Sequence, residues 1–176
     1  MKRTIIILST ILLLAFIKWN VGLSEKLIPD SAIRLRVVAH SNTPYDQQVK
    51  SKIRDTLQKE LYVLLGDTSS INDARIIIKK GLPHLDSVVA NELKTMEYNR
   101  KHNISYGYNY FPSKTYKGIE YDDGYYESLL VTIGAGKGDN WWCVLFPPLC
   151  LLEADEAEEV EYKFFVTEII NKYIKR

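Results

Sequence analysis

Residues 33 to 65 constrain the fold most, because two different periodicities follow one another there. Ile33, Leu35 and Val37 alternate with Arg34, Arg36 and Val38, a period of two that predicts a strand over 33–39 with one apolar face. The loop His40-Ser41-Asn42-Thr43 follows. Thr43 can cap a helix, Pro44 suits its first position, and Asp46 completes a pair resembling a capping box. Val49, Ile53, Leu57, Leu61 and Leu64 then recur every three or four residues with charges between them. This predicts an amphipathic helix over 44–65, stopped by Gly66.

Beyond it, Ser70 and Asp73 repeat the capping signal for a segment over 71–80. Its run Ile76-Ile77-Ile78 reads equally as helix or strand. Gly81-Leu82-Pro83 is expected to break that segment, and Leu85, Val88, Val89, Leu93 and Met96 mark another helix over about 83–98. The second half changes character. Ile104, Tyr106, Tyr108 and Tyr110 alternate with Asn103, Ser105, Gly107 and Asn109, and further strands are expected over Glu127–Ile133 and Trp141–Phe146. Asp122-Asp123-Gly124 is a hairpin signal, and Pro147-Pro148 ends pairing. The tail opens acidic and closes with Lys172, Lys175 and Arg176, the polarity that suits a helix dipole. Tyr162, Phe165, Val166, Ile169 and Tyr173 form its apolar stripe. Strand, helices and then a strand meander make an α+β fold. It is expected as a single domain over 33–152, with a C-terminal helix within 153–176.

The N-terminus bears on compartment. Met1-Lys2-Arg3 is basic, and the fourteen residues from Thr4 to Ile17 are interrupted only by Thr4, Ser9 and Thr10. A membrane-spanning helix needs about 20 apolar residues and a secretory core only about 7–15. Residues 1–24 therefore read as a signal peptide. An uncleaved anchor with Lys18 and Trp19 at the interface is the second reading, since Gly22 and Ser24 are the only small residues near a cleavage point. Residues 25–32 read as a linker. With 23 Lys plus Arg against 22 Asp plus Glu, no basic face for nucleic acid is expected.

The most distinctive stretch is Gly134-Ala135-Gly136-Lys137-Gly138-Asp139, followed by Asn140-Trp141-Trp142-Cys143 and closed by Phe146-Pro147-Pro148-Leu149-Cys150. With Ile33-Arg34-Leu35-Arg36, Ala39-His40-Ser41-Asn42, Asp46-Gln47 and Tyr126-Glu127, it resembles the stage II sporulation protein R family, over roughly residues 30–152. The resemblance implies a protein made in the forespore and exported into the space between the two sporulation membranes. There it would trigger a membrane-embedded aspartic protease of the mother-cell membrane, which processes the precursor of the mother-cell sigma factor. Membrane contact would run through the N-terminal segment. No cofactor, metal or small-molecule ligand is expected; Asp30, Asp46, Asp55 and the acidic 153–159 run have no metal-ligand spacing.

Asn140, Trp141, Trp142, Phe146, Pro147, Pro148, Arg34, Arg36 and His40 are the candidate partner-binding residues. On a strand, Trp141 and Trp142 point to opposite faces, so one can fill the core while the other anchors a partner; core packing of both is the plainer alternative. Arg34 and Arg36 share a strand face and read as solvated charges or as a basic docking stripe. Gly134, Gly136 and Gly138 read as turn positions rather than a phosphate loop, since Lys137 is not followed by Ser or Thr. Cys143 and Cys150 have three readings. They form a disulfide in an exported protein, or two buried thiols, or Cys143 is a nucleophile. The third makes the chain an exported cysteine hydrolase of peptide or cell-wall amide bonds, with His40, His84 or His102 as base and the Gly-rich turn as oxyanion donor. His40, inside a motif, is the best placed of the three histidines.

Overall fold

The computed structural model describes residues 28–29, 31–116, 119–151 and 159–173. The signal or anchor reading of 1–24 and the acidic start of the tail lie outside them. Among the described residues the order is β1 (Ile33–Val38), α1 (Pro44–Leu65), α2 (Ile71–Thr95), β2 (His102–Phe111), β3 (Lys114–Tyr116), β4 (Ile119–Tyr121), β5 (Gly124–Ile133), β6 (Asn140–Phe146), a 3-10 turn (Leu149–Leu151) and α3 (Glu159–Tyr173). No described helix is long and apolar enough to cross a membrane.

The α+β class holds. The four-stranded sheet runs β2-β5-β1-β6. β1 lies parallel to β5, with Leu35 beside Leu129, and antiparallel to β6, with Leu35 beside Cys143. The later strands therefore do not form a meander by themselves, because the first strand enters between β5 and β6. The Asp122-Asp123-Gly124 signal is not a hairpin tip either. β2 pairs with β5 from His102–Ile133 to Phe111–Gly124, and β3 pairs with β4 in the same arm, from Lys114–Tyr121 to Tyr116–Ile119. Asp122 and Asp123 join β4 to β5, which starts at Gly124.

α1 begins where its cap predicts. Thr43 Oγ1 accepts the Asp46 N–H at 3.2 Å, with Pro44 in the first turn. Gly66 follows in a right-handed conformation, φ −53°, so it ends the helix without the left-handed cap. α2 corrects the expected break: one helix runs through Gly81-Leu82-Pro83. An interior proline costs about 3 kcal/mol, but Ala74, Ile78, Leu85, Val89 and Leu93 are all buried on one continuous face across it. At Gly81 an added Cβ would lie 3.4 Å from Leu64 Cδ1, so α1 passes close to the helix there. α2 ends at a Schellman cap built on Glu97, φ 54°, with Glu97 N–H on Lys94 O and Tyr98 N–H on Leu93 O.

Both sheet faces are covered. Ile33, Leu35, Val37, Leu129, Val131 and Ile133 meet α1 and α2 in the main core. On the other face Phe111, Tyr121, Tyr126, Trp142 and Val144 pack with Val166, Ile169 and Ile170 of α3. Ile28 and Ala32 are buried in this second cluster. The end of the expected linker 25–32 thus belongs to the folded unit, since apolar side chains that leave water there contribute to its core.

Candidate functional site

Parallel pairing of β1 and β5 carries their C-terminal ends to one end of the sheet, where β6 begins. The two motif segments, 39–46 and 134–140, meet there although about a hundred residues separate them. Gly134 N–H donates to Lys101 O (2.7 Å), Gly136 N–H to Ile133 O (3.2 Å), Lys137 N–H to His40 O (3.1 Å) and Gly138 N–H to Ala39 O (3.0 Å). Ala135 N–H donates to His40 Nδ1 at 2.9 Å. Asp139 N–H donates to Asn42 Oδ1 at 2.6 Å, and Asn42 Nδ2 returns a bond to Asp139 Oδ1 at 3.2 Å. Every backbone N–H from Gly134 to Asp139 is therefore engaged within the chain. The turn has no donors left for an oxyanion, and that element of the hydrolase reading is not assembled.

The glycines are required by close approach. Gly134 and Gly136 have φ of +58° and +61°. A Cβ on Gly134 would stand 2.5 Å from His40 Nδ1, and one on Gly138 would stand 2.3 Å from Ser41 O. Because His40 Nδ1 accepts from an amide, the proton of the neutral ring sits on Nε2. His40 is thus a clasp for the turn.

Beneath the loop, Asp46 anchors the construction. Its carboxylate accepts from the Ser41 hydroxyl and the Tyr98 phenol. Those two bonds hold its carboxyl below the ordinary aspartate range. Burial, and then this carboxylate, push the Tyr98 phenol up to about 12. Gln47 Nε2 donates to Ser41 O at 2.9 Å, and Lys50 Nζ reaches Asp139 O at 3.3 Å. Ala135, Lys137 and Asp139 remain exposed above this framework.

The tryptophans do take opposite faces. Trp141 is half-buried against the helix-side core with the Arg54 guanidinium 5.4 Å from its ring centroid. Trp142 is buried on the other face, edge-on to Phe111 (5.5 Å) and Tyr121 (4.9 Å). Neither stands free, because α1 flanks one and the β3–β4 arm the other. The arginine stripe is corrected more strongly. Arg34 is 3% exposed, its guanidinium 3.3 Å from the Tyr126 centroid and within 5.3 Å of those of Phe111 and Trp142. Arg36 lies over Phe111 and donates to Tyr110 O at 2.7 Å. Desolvation lowers its pKa. Both are structural cations held by ring faces. Phe146 is 1% exposed in the main core, with the Tyr173 ring centroid 5.5 Å away. It anchors the fold, not a partner. Pro147, after a cis peptide, is buried and Pro148 half-buried. Asn140 is half-buried opposite Val38 at the start of β6.

Cys143 and Cys150 form a disulfide, Cα to Cα 5.8 Å. Of the three readings the first is the one observed. The bond joins β6 to the 3-10 turn, and Gln58 Nε2 on Cys150 O (2.6 Å) ties that turn to α1. A bonded Cys143 is no nucleophile. Leu35 lies opposite it, and His40 is five residues further on, two beyond the end of β1, roughly 16 Å away if the chain kept its strand rise. His84 and His102 are occupied with Glu60 and Asp86, each at 2.9 Å. The described residues thus do not bring the Cys143–His40 pair together. Cys143→Ser and Cys150→Ser should each lower unfolding free energy by about 2–3 kcal/mol, the loop-closure value for so short a ring. The double variant should add little, as denaturant titration would show; unequal or additive losses would contradict the bond.

Two features escape sequence reasoning. Glu127 is buried on the helix face, where Arg75 Nε and Nη2 donate to it at 2.8–3.0 Å and the Tyr106 hydroxyl at 2.6 Å. Burial opposes its charge, but these donors prevail and its carboxyl is held below the ordinary range. The signal was its inward parity with Leu129, Val131 and Ile133. The aromatic box around Arg34 had no local signal. No group of three His, Cys, Asp or Glu that could hold a metal occurs among the described residues.

Comparison with known proteins agrees with the motif-bearing segments. The chain matches the stage II sporulation protein R family over residues 29–156. It is 38% identical over 172 residues to Stage II sporulation protein R of Bacillus subtilis (strain 168), an alignment spanning 92% of this chain and 76% of that protein. No solved structure matches. A match across most of the chain, including both strands of the clasped site, establishes that this sporulation protein belongs to the stage II sporulation protein R family.

Proposed function

We propose that the domain acts outside the cytoplasm, between forespore and mother cell, as a contact ligand. Its target is a membrane-embedded aspartic protease of the mother-cell membrane, which then processes the precursor of the mother-cell sigma factor. One observation carries this reading. The family's motif segments converge on an exposed turn whose backbone N–H groups are all bonded within the chain and which is clasped by His40 and Asn42. Such a surface is preorganised for recognition: it loses little entropy on binding and has no open chemistry of its own. The Cys143–Cys150 bond suits an oxidising compartment, and the basic, apolar N-terminus suits export or anchoring.

Lys137, exposed at the tip of the turn, is the residue to test. Purified full-length chain added to membranes carrying the protease and the sigma precursor should trigger cleavage. Lys137→Glu should reduce the cleavage rate tenfold or more while leaving thermal unfolding unchanged, because among the described residues only its backbone is bonded. Absence of cleavage with the native chain would refute the ligand reading. Undiminished cleavage with Lys137→Glu would remove this turn from it.

A further inference from the structure

Edge strands present unpaired N–H and C=O groups, and stable monomers usually protect them with charge, proline or a bulge. β2 is an edge of the four-stranded sheet. Lys79 Nζ lies 5.8 Å from the centroid of its Tyr106, but no such device lies within the strand itself. Its ten residues, about 33 Å of strand, contain no proline, and from Asn103 to Phe111 no charged side chain. It pairs throughout with β5 on one side in continuous register. On the other side no described strand is bonded to it.

The surface beside this edge is aromatic. Tyr108 is 71% exposed, Tyr110 48% and Tyr125 72%, and the Tyr110 and Tyr125 rings meet edge-on at 5.7 Å. Tyrosine is, with tryptophan and arginine, among the side chains that most often anchor interfaces. Gly107 lies at mid-strand. A Cβ there would meet nothing within 4 Å, and its φ is not in the left-handed region. A mid-strand glycine costs about 0.5–1 kcal/mol relative to Ala, and nothing among the described residues requires it. A glycine inside a strand often marks the close approach of a second backbone.

We propose that β2 is a dimerisation edge, pairing antiparallel with β2 of a second copy to extend the sheet across a two-fold axis near Gly107. The occupant follows from complementarity. An uncharged edge disfavours charged strands and accepts an uncharged, β-prone one, and β2 is itself such a strand. Antiparallel self-pairing is the isologous geometry of two-fold dimers. Centred on Gly107, it sets Tyr108 beside the second copy's Tyr106 on the same face, a cross-strand aromatic pair. The dimer would carry its two clasped turns as a bivalent ligand, although the pairing itself does not depend on the protease reading.

Sedimentation equilibrium of the purified full chain in mild detergent tests this. The native chain should be a dimer at micromolar concentration. Tyr108→Lys and, independently, Asn103→Lys should raise the dissociation constant at least tenfold. Both side chains are exposed, so circular dichroism should stay native. A monomeric native chain would overturn the proposal. So would a dimer that both folded variants leave intact, since association would then come from elsewhere.

Discussion

Trp142→Ala should lower the unfolding free energy by about 3–5 kcal/mol, the range for removing a core aromatic. Trp141→Ala should cost distinctly less. Trp142 is 9% exposed and holds together the whole second face of the sheet. It meets Phe111 and Tyr121 edge-on, and Arg34 lies 5.2 Å from its ring. Truncation would leave a cavity beside a buried guanidinium and weaken the box that keeps that charge tolerable. Trp141 is only half-buried and rests under Arg54, a side chain that can follow it into solvent. Thermal and denaturant unfolding of the two variants decide between these accounts. Equal losses would mean that the two faces of β6 are equally buried, contrary to the packing.

The difference between the tryptophans also shows what a sequence discloses. Alternation along β6 assigns the two rings to opposite faces, because the strand period is geometric. It cannot say what covers each face. That depends on the β3–β4 arm and on α3, elements far away in the chain. The same limit explains Arg34 and Arg36. Their alternation with Ile33, Leu35 and Val37 looks like a solvated stripe until Phe111, Tyr121 and Tyr126 close over it. α1 was legible to the residue because its signals are local: a threonine cap, a proline in the first turn, an unbroken apolar row. α2 was not, because its continuity across Pro83 rests on burial against α1 and the sheet, a tertiary gain that outweighs a local cost. The clasped site was half legible. Gly134, Gly136, Gly138 and His40 stood out in their motifs, but their contact follows from the parallel β1–β5 pairing, which no short-range pattern encodes.

If the domain is the contact ligand proposed above, Gly138→Ala should cut sigma-precursor cleavage at least tenfold in a protein whose core stays folded. The added Cβ would lie 2.3 Å from Ser41 O and 2.6 Å from Ser41 C. Those are backbone atoms, and the segment holding them is pinned by Gln47 on Ser41 O and by the Ser41 hydroxyl on Asp46. Neither side can give way by rotating a side chain, so the turn must lift. Lifting breaks the bonds from Lys137 N–H to His40 O, from Gly138 N–H to Ala39 O and from Asp139 N–H to Asn42 Oδ1. Each is worth about 0.5–1.5 kcal/mol, and water recovers much of that at an exposed turn. A stability cost of about 1–3 kcal/mol is therefore expected, well short of unfolding a typical domain. Function should suffer more, since a preorganised surface that becomes an ensemble binds in proportion to the fraction still in the right conformation. Amide exchange should show Lys137, Gly138 and Asp139 losing protection while Leu129 and Val131 keep it, and sigma-precursor cleavage should fall by at least tenfold. Full cleavage activity alongside that local loss of protection would show that the clasped turn is not what the protease reads.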